Sequence, residues 1–90
     1  MDFSATLLDI WANTSTEGVY YEDLTDEGIT LVAPSGVIVD ICFNWTDGAP
    51  EWTLEAYRDC GRYSHIVTIP CDTRDAVAYA DDIFSKTAAA

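Results

Sequence analysis

A chain of 90 residues that is 49% apolar and 12% aromatic, with 16 acids against 4 Lys and Arg, reads as one small domain with a packed core and a formal charge of −12. That apolar content is too rich for a disordered acidic tail, although the length is near the lower size at which a chain buries enough surface to fold unaided. A sequence pI near 4.1 excludes direct binding of DNA, RNA or anionic lipid, which need basic surfaces, and favours a basic partner.

The first predicted element is a short amphipathic helix from about Ser4 to Ala12. Phe3, Leu7, Ile10 and Trp11 fall on one side, Ser4 or Asp2 can cap the start, and "NTSTEG" stops it. Val19–Glu22 fits either a short strand or an irregular acidic loop. Residues 29–33 and 37–45 read as a hairpin around "PSG". In its second run Val37, Val39, Ile41, Phe43 and Trp45 share one face while Ile38, Asp40, Cys42 and Asn44 share the other, the pattern of a strand packed on one side and wet on the other. A further turn spans 46–50, where Asp47-Gly48 suits positive φ.

Residues 51–58 alternate Trp52, Leu54 and Ala56 against Glu51, Thr53, Glu55 and Tyr57, but Glu and Ala would also tolerate a helix. Residues 63–69 read as a strand that ends at Pro70. A closing helix runs from about Thr73 to Lys86, with Asp72 as N-cap and Asp75 three residues on. Val77, Ala80, Ile83 and Phe84 form its predicted buried stripe, Lys86 suits the C-terminal dipole, and residues 87–90 are expected to fray. The sum is a single two-layer α+β domain over residues 1–90: an N-terminal helix, an antiparallel meander of three or four strands, and a C-terminal helix.

Charge is unevenly distributed along this order. Residues 1–57 carry eleven acids and no Lys or Arg, whereas residues 58–90 carry five acids against Arg58, Arg62, Arg74 and Lys86. A general solubility strategy would intersperse both signs. The densest stretch is "VYYEDLTDEG", residues 19–28, where Glu22, Asp23, Asp26 and Glu27 adjoin Tyr20 and Tyr21.

Motifs for chemistry are weak. "DLTDEG" fits a calcium loop loosely through Asp23, Thr25, Glu27 and Gly28, but the position that needs a bidentate Glu is Pro34. Cys60, His65 and Cys71, with Cys42, could in principle hold zinc, yet they lack the close ligand pairs of structural sites. No nucleophile signature, G-x-S-x-G, GxGxxG or Walker lysine occurs. Three cysteines at irregular spacing argue against a disulfide framework, and "MDFSATLLDIW" lacks the basic and long apolar regions of a secretory leader. The expectation is a cytoplasmic protein with no enzymatic activity, no cofactor, no metal and no membrane partner.

The acidic surface is then the strongest signal, and its expected contact residues are Tyr20, Tyr21, Glu22, Asp23, Asp26, Glu27, Asp40, Asp47, Glu51 and Glu55. Carboxylates on strands and turns can meet Arg and Lys side chains arranged for phosphates. Tyr57, Trp45 and Trp52 are further candidate anchors, with the two tryptophans assigned rather to the core. In size, acidity and lack of catalytic motif, across the whole chain, the protein resembles the small acidic inhibitors that phages carry against bacterial defences. Anti-CRISPR proteins, anti-restriction proteins and uracil-glycosylase inhibitors are examples. The resemblance is one of type, and an anti-CRISPR protein is the first choice within it. It implies a non-catalytic nucleic-acid mimic that binds the basic groove of a Cas effector or other nucleic-acid-binding defence protein in the bacterial host cytoplasm. The alternative is an immunity protein that neutralises a basic nuclease toxin.

Overall fold

Each strand in this protein pairs with the next one along the chain. The computed structural model describes residues 2–58 and 64–88. Helix α1 (Ser4–Ala12) leads into strands β1 (Tyr20–Leu24), β2 (Gly28–Val32), β3 (Val37–Thr46), β4 (Ala49–Arg58) and β5 (Ser64–Pro70), and helix α2 (Thr73–Ala88) closes the chain. The five strands form one antiparallel sheet in the order β1-β2-β3-β4-β5. The architecture is the expected single α+β domain. Its strand count exceeds three or four because both ambiguous segments, 19–22 (from Tyr20 on) and 51–58, fall in strands, Tyr20–Leu24 and Ala49–Arg58.

Strand pairing explains the second of these. Residues 51–58 have side chains that a helix would accept, but β3 pairs with β4 from Val37↔Arg58 to Thr46↔Ala49. Context decides β structure more than intrinsic preference does. The Asp47-Gly48 turn fixes this register. Both residues have positive φ (52° and 77°), the two-residue geometry whose twist matches the flanking strands. Pro50 lies where β4 has no β5 partner, since that pairing begins at Glu51↔Pro70, so its missing N–H leaves no gap there.

Alternation separates the two faces of the sheet. Leu31, Val37, Val39, Ile41, Leu54 and Ala56 are fully buried, together with Leu7 and Ile10 of α1 and Ala76, Ala80, Ile83 and Phe84 of α2. Both helices therefore cover one face. On α2 the buried stripe includes Ala76, while Val77, predicted to lie within it, is half-buried at its margin. Asp72 caps α2 as expected, accepting the Arg74 N–H at 2.8 Å. The N-cap of α1 is Phe3, which offers no side-chain cap, and neither Ser4 nor Asp2 takes that position; Asp2, one residue earlier, accepts the Ser4 N–H at 2.8 Å. α2 extends to Ala88, two residues past Lys86, and residues 89–90 lie outside the described residues.

The connection between α1 and β1 is tied to the last helix. The Asp81 carboxylate accepts the Ser15 N–H and hydroxyl, both at 2.9 Å, and the Thr16 N–H and hydroxyl at 3.3 and 2.8 Å. The Trp11 indole N–H donates to the Val19 carbonyl at 3.1 Å. Gly18, at φ +82°, lies against Pro34 so closely that a Cβ there would fall 2.7 Å from the proline ring. These links position β1 and its acids at the edge of the sheet.

Candidate binding face

Cross-strand register builds the outer face in rows. Tyr20, Val32, Ile38 and Tyr57 are successive partners across β1 to β4, and form an apolar and aromatic row. Beside it, Asp23, Thr30, Asp40 and Glu55 form an acidic and hydroxyl row. Gly28, Cys42, Thr53 and Thr68 make a third row, and Asn44, Glu51 and Pro70 a fourth. Neighbouring residues within a row are ~4.5–5.5 Å apart and successive rows on one face ~6.4–6.8 Å apart. No Lys or Arg occupies any of these positions.

A β-bulge puts Asp23 there. Strict alternation would place Tyr21 and Asp23 on the same face. Instead the register shifts between them, so that Tyr21 pairs with Leu31 on the covered face while Asp23 pairs with Thr30 on the open one. Glu22 is the extra residue, and its charge acts on the Tyr57 phenol across the outer face. Bulges redirect side chains in this way at sheet edges. Tyr21 accordingly packs its ring edge-on to Trp11, at 5.0 Å between centroids, and keeps part of its surface exposed.

Asp40 is the fixed point of the acidic row. Its Oδ1 accepts the Thr30 hydroxyl at 2.6 Å and its Oδ2 the Tyr57 hydroxyl at 3.0 Å. Both donors come from neighbouring strands, so the carboxylate is held in place by the sheet itself. Each oxygen retains a lone pair for another donor. The local field is negative enough to disturb neighbouring groups. Desolvation raises the Tyr57 phenol above its ordinary value, and its hydrogen bond to Asp40 and the charges of Asp40, Glu55 and Glu22 raise it further. Cys42 is raised by partial desolvation and then by Asp40, Glu55 and Glu27.

The ten expected contact residues divide by location. Tyr20, Glu22, Asp23, Asp40, Glu51 and Glu55 belong to the outer face and its β1 edge. Asp26 and Glu27 sit at the β1–β2 turn, where the Thr25 hydroxyl accepts the N–H groups of Glu27 and Gly28 at 3.2 and 3.0 Å. Asp47 occupies the β3–β4 turn. Tyr21 faces the helices.

Two aromatic assignments separate. Trp52 is buried, edge-on to both Phe3 and Phe43, in line with a core position. Trp45 is 60% exposed, a correction to its expected place in the core. β3 runs past the helical layer there, so Trp45 retains the correct phase for the covered face with little left to cover it beyond Phe43, 6.4 Å away. Strand overshoot was the missing signal: the hairpin turn lies only two residues beyond it.

Among the described residues, no three His, Cys, Asp or Glu side chains converge as a metal-ligand group. Cys60 and the His65 side chain, invoked for zinc, lie outside the described residues. A shallow depression of about 240 Å³ is lined by Asp23, Thr25, Gly28, Ile29, Thr30, Asp40 and Cys42. A larger one, about 380 Å³, lies away from the acids between Asn13 and the first turns of α2. Among the described residues no helix is long and apolar enough to cross a membrane. Chemically, the outer face presents fixed acceptors and ring faces to something that approaches from solvent. Comparison with family models, curated proteins and solved structures returns no match.

Proposed function

We propose that the protein is a non-catalytic inhibitor whose acidic outer face occupies the basic nucleic-acid groove of a bacterial defence complex, acting as a nucleic-acid mimic in the manner of a phage anti-CRISPR protein. The observation that carries this reading is the row of Asp23, Asp40 and Glu55, with Glu22 at its edge and Glu51 two rows on, on a sheet face with no basic position in its register. Asp40 and Glu55 stand ~4.5–5.5 Å apart in one row, and Glu55 and Glu51 lie two rows apart on β4, ~13 Å, close to the ~13.6 Å of helix axis that four phosphate steps on one DNA strand cover. Arg and Lys side chains arranged for phosphates therefore find carboxylates at workable spacing. Protein of this charge would act where the defence complex acts, in the host cytoplasm.

Affinity capture followed by competition tests the reading. Tagged protein added to a captured Cas effector should displace its guide or target nucleic acid in stoichiometric amounts, without turnover. Recovery of a single small basic nuclease would make the protein an immunity protein instead. Undiminished nucleic-acid binding by every captured partner would sink the mimicry. Association should also slow as salt shortens the ~8–10 Å Debye length, because steering by exposed charge is screened.

A further inference from the structure

The acidic row alone would suit any cation. The apolar and aromatic row laid directly beside it narrows the choice, because the two rows together offer different surfaces to the stem, the plane and the charge of one side chain. We propose that the outer face is a docking surface for arginine side chains of a basic protein, one with its guanidinium plane on Tyr57 and its donors directed to Asp40 and Glu55, another on Tyr20 with its donors directed to Glu22 and Asp23. This rests on the basic-partner reading above and specifies its chemistry.

Four observations support the choice. Tyr20 is 52% exposed at the sheet edge, so its ring face is open. Tyr57 is oriented by the bond from its hydroxyl to Asp40, which fixes ring and carboxylate as one unit. Val32 and Ile38 lie between the two tyrosines in the same row; Val32 is buried, so the half-buried Ile38 beside Tyr57 is what offers apolar surface to the methylene stem of a long side chain. Glu55 is the direct cross-strand partner of Asp40, so two carboxylates stand ~4.5–5.5 Å apart at the backbone, within reach of one planar fork.

Lysine fits this surface less well. Its ammonium is compact and strongly hydrated, and loses more on approach to a partly apolar strip, whereas guanidinium is weakly hydrated, stacks on aromatic faces and bonds through a planar fork. Charge complementarity also disfavours a second copy of this chain as the occupant. Two faces without a basic position would repel each other.

Calorimetric titration of the intact protein with nona-arginine and with nona-lysine at one fixed ionic strength tests the proposal. The expected result is ~10-fold tighter binding of nona-arginine, the size of effect that stacking and bidentate pairing supply. The double variant Tyr20→Leu with Glu55→Gln should bring that ratio close to one. Both positions are exposed, so the variant retains the fold, as its melting temperature checks. Asp75→Asn, which removes the same charge on the opposite side of the molecule, should leave the ratio unchanged. Equal binding of the two peptides would overturn the arginine proposal. If both are then weakened by Glu55→Gln alone and not by Asp75→Asn, the broader basic-partner reading survives it. If neither peptide binds, or binding is indifferent to Glu55, both readings fail.

Discussion

The two faces of one sheet make opposite use of the same strands. Along β4, Trp52, Leu54 and Ala56 are buried beneath the helices, while Glu51, Thr53, Glu55 and Tyr57 alternate with them on the open side. The covered face therefore carries the stability and leaves the open face free to hold charge that stability alone would not select. The helical layer treats charge differently as well. On α2, Lys86 pairs with Asp82 at 2.9 Å, and Arg74 pairs with Asp72 at 3.6 Å at its start. The outer face has no such compensation in its register. Self-repulsion there works against the compact state, and its persistence is what directs attention to a partner.

The largest contrast is between adjacent residues. Leu54→Ala should lower the unfolding free energy by ~3–5 kcal/mol, through lost burial and the cavity left behind. That is a large share of the ~5–15 kcal/mol typical of a domain. Glu55→Ala, one residue on, should change it by less than ~0.5 kcal/mol, as surface substitutions do. Urea denaturation of the two variants measures both. Similar losses would mean that the two faces are not energetically distinct.

Function should show the reverse dependence. Glu22, Asp23 and Glu55 changed together to Lys should weaken partner association by ~100-fold or more, since reversed charge replaces attraction by repulsion. The melting temperature should hold or rise. Asp26 and Glu27 changed to Lys should have a smaller effect, because they lie at the turn and not on the rows. Glu17 and Asp75 changed to Lys form the control. Equal losses from all three sets would mean that total charge, and not its position, governs binding.

Asp81 shows that not every acid belongs to this field. With Ser15 and Thr16 both bonded to its carboxylate, Asp81→Ala should destabilise the fold by ~1–3 kcal/mol and leave partner affinity unchanged. Thermal unfolding and the same binding assay check the two halves. In sequence Asp81 looks like any acid on a helix surface, because its partners lie 65 and 66 residues away.

The same distinction between local and long-range information decides what could be read in advance. The α1 and α2 helices, the β2–β3 hairpin and the Asp47-Gly48 turn rest on caps, periodicity and turn chemistry within a few residues, and they were legible. The split of the acidic stretch was not. Whether Asp23 joins Tyr20 or Tyr21 depends on a register shift against β2, which no periodicity within residues 19–24 encodes. Trp45 failed for a related reason: its phase was right, but coverage depends on how far the helices extend. The acids of the candidate face were therefore recognisable by type, while their grouping in rows emerged only from the pairing of strands.

The smallest expected effect probes the outer-face field without any partner. Cys42 is exposed in the third row, yet its thiol is raised from the ordinary 9.0, first by desolvation and then by Asp40, Glu55 and Glu27. The thiolate is the reactive form, so alkylation by iodoacetamide at pH 8 should be slower than for a free cysteine under the same conditions. Removing nearby negative charge lowers the pKa, enlarges the thiolate fraction and speeds the reaction. Glu55→Gln with Glu27→Gln should therefore raise the rate by about twofold; the gain is modest because desolvation, the larger cause, is untouched. Added salt should narrow the difference between variant and parent by screening the same charges. Cys71 supplies an internal reference, since its thiol is raised by desolvation and by Glu51 instead, and peptide mass spectrometry separates the two sites. If Cys42 in the variant reacts at the parent rate while Cys71 is likewise unchanged, the carboxylates do not act together across the open face, and the comparison between the two faces loses its electrostatic half.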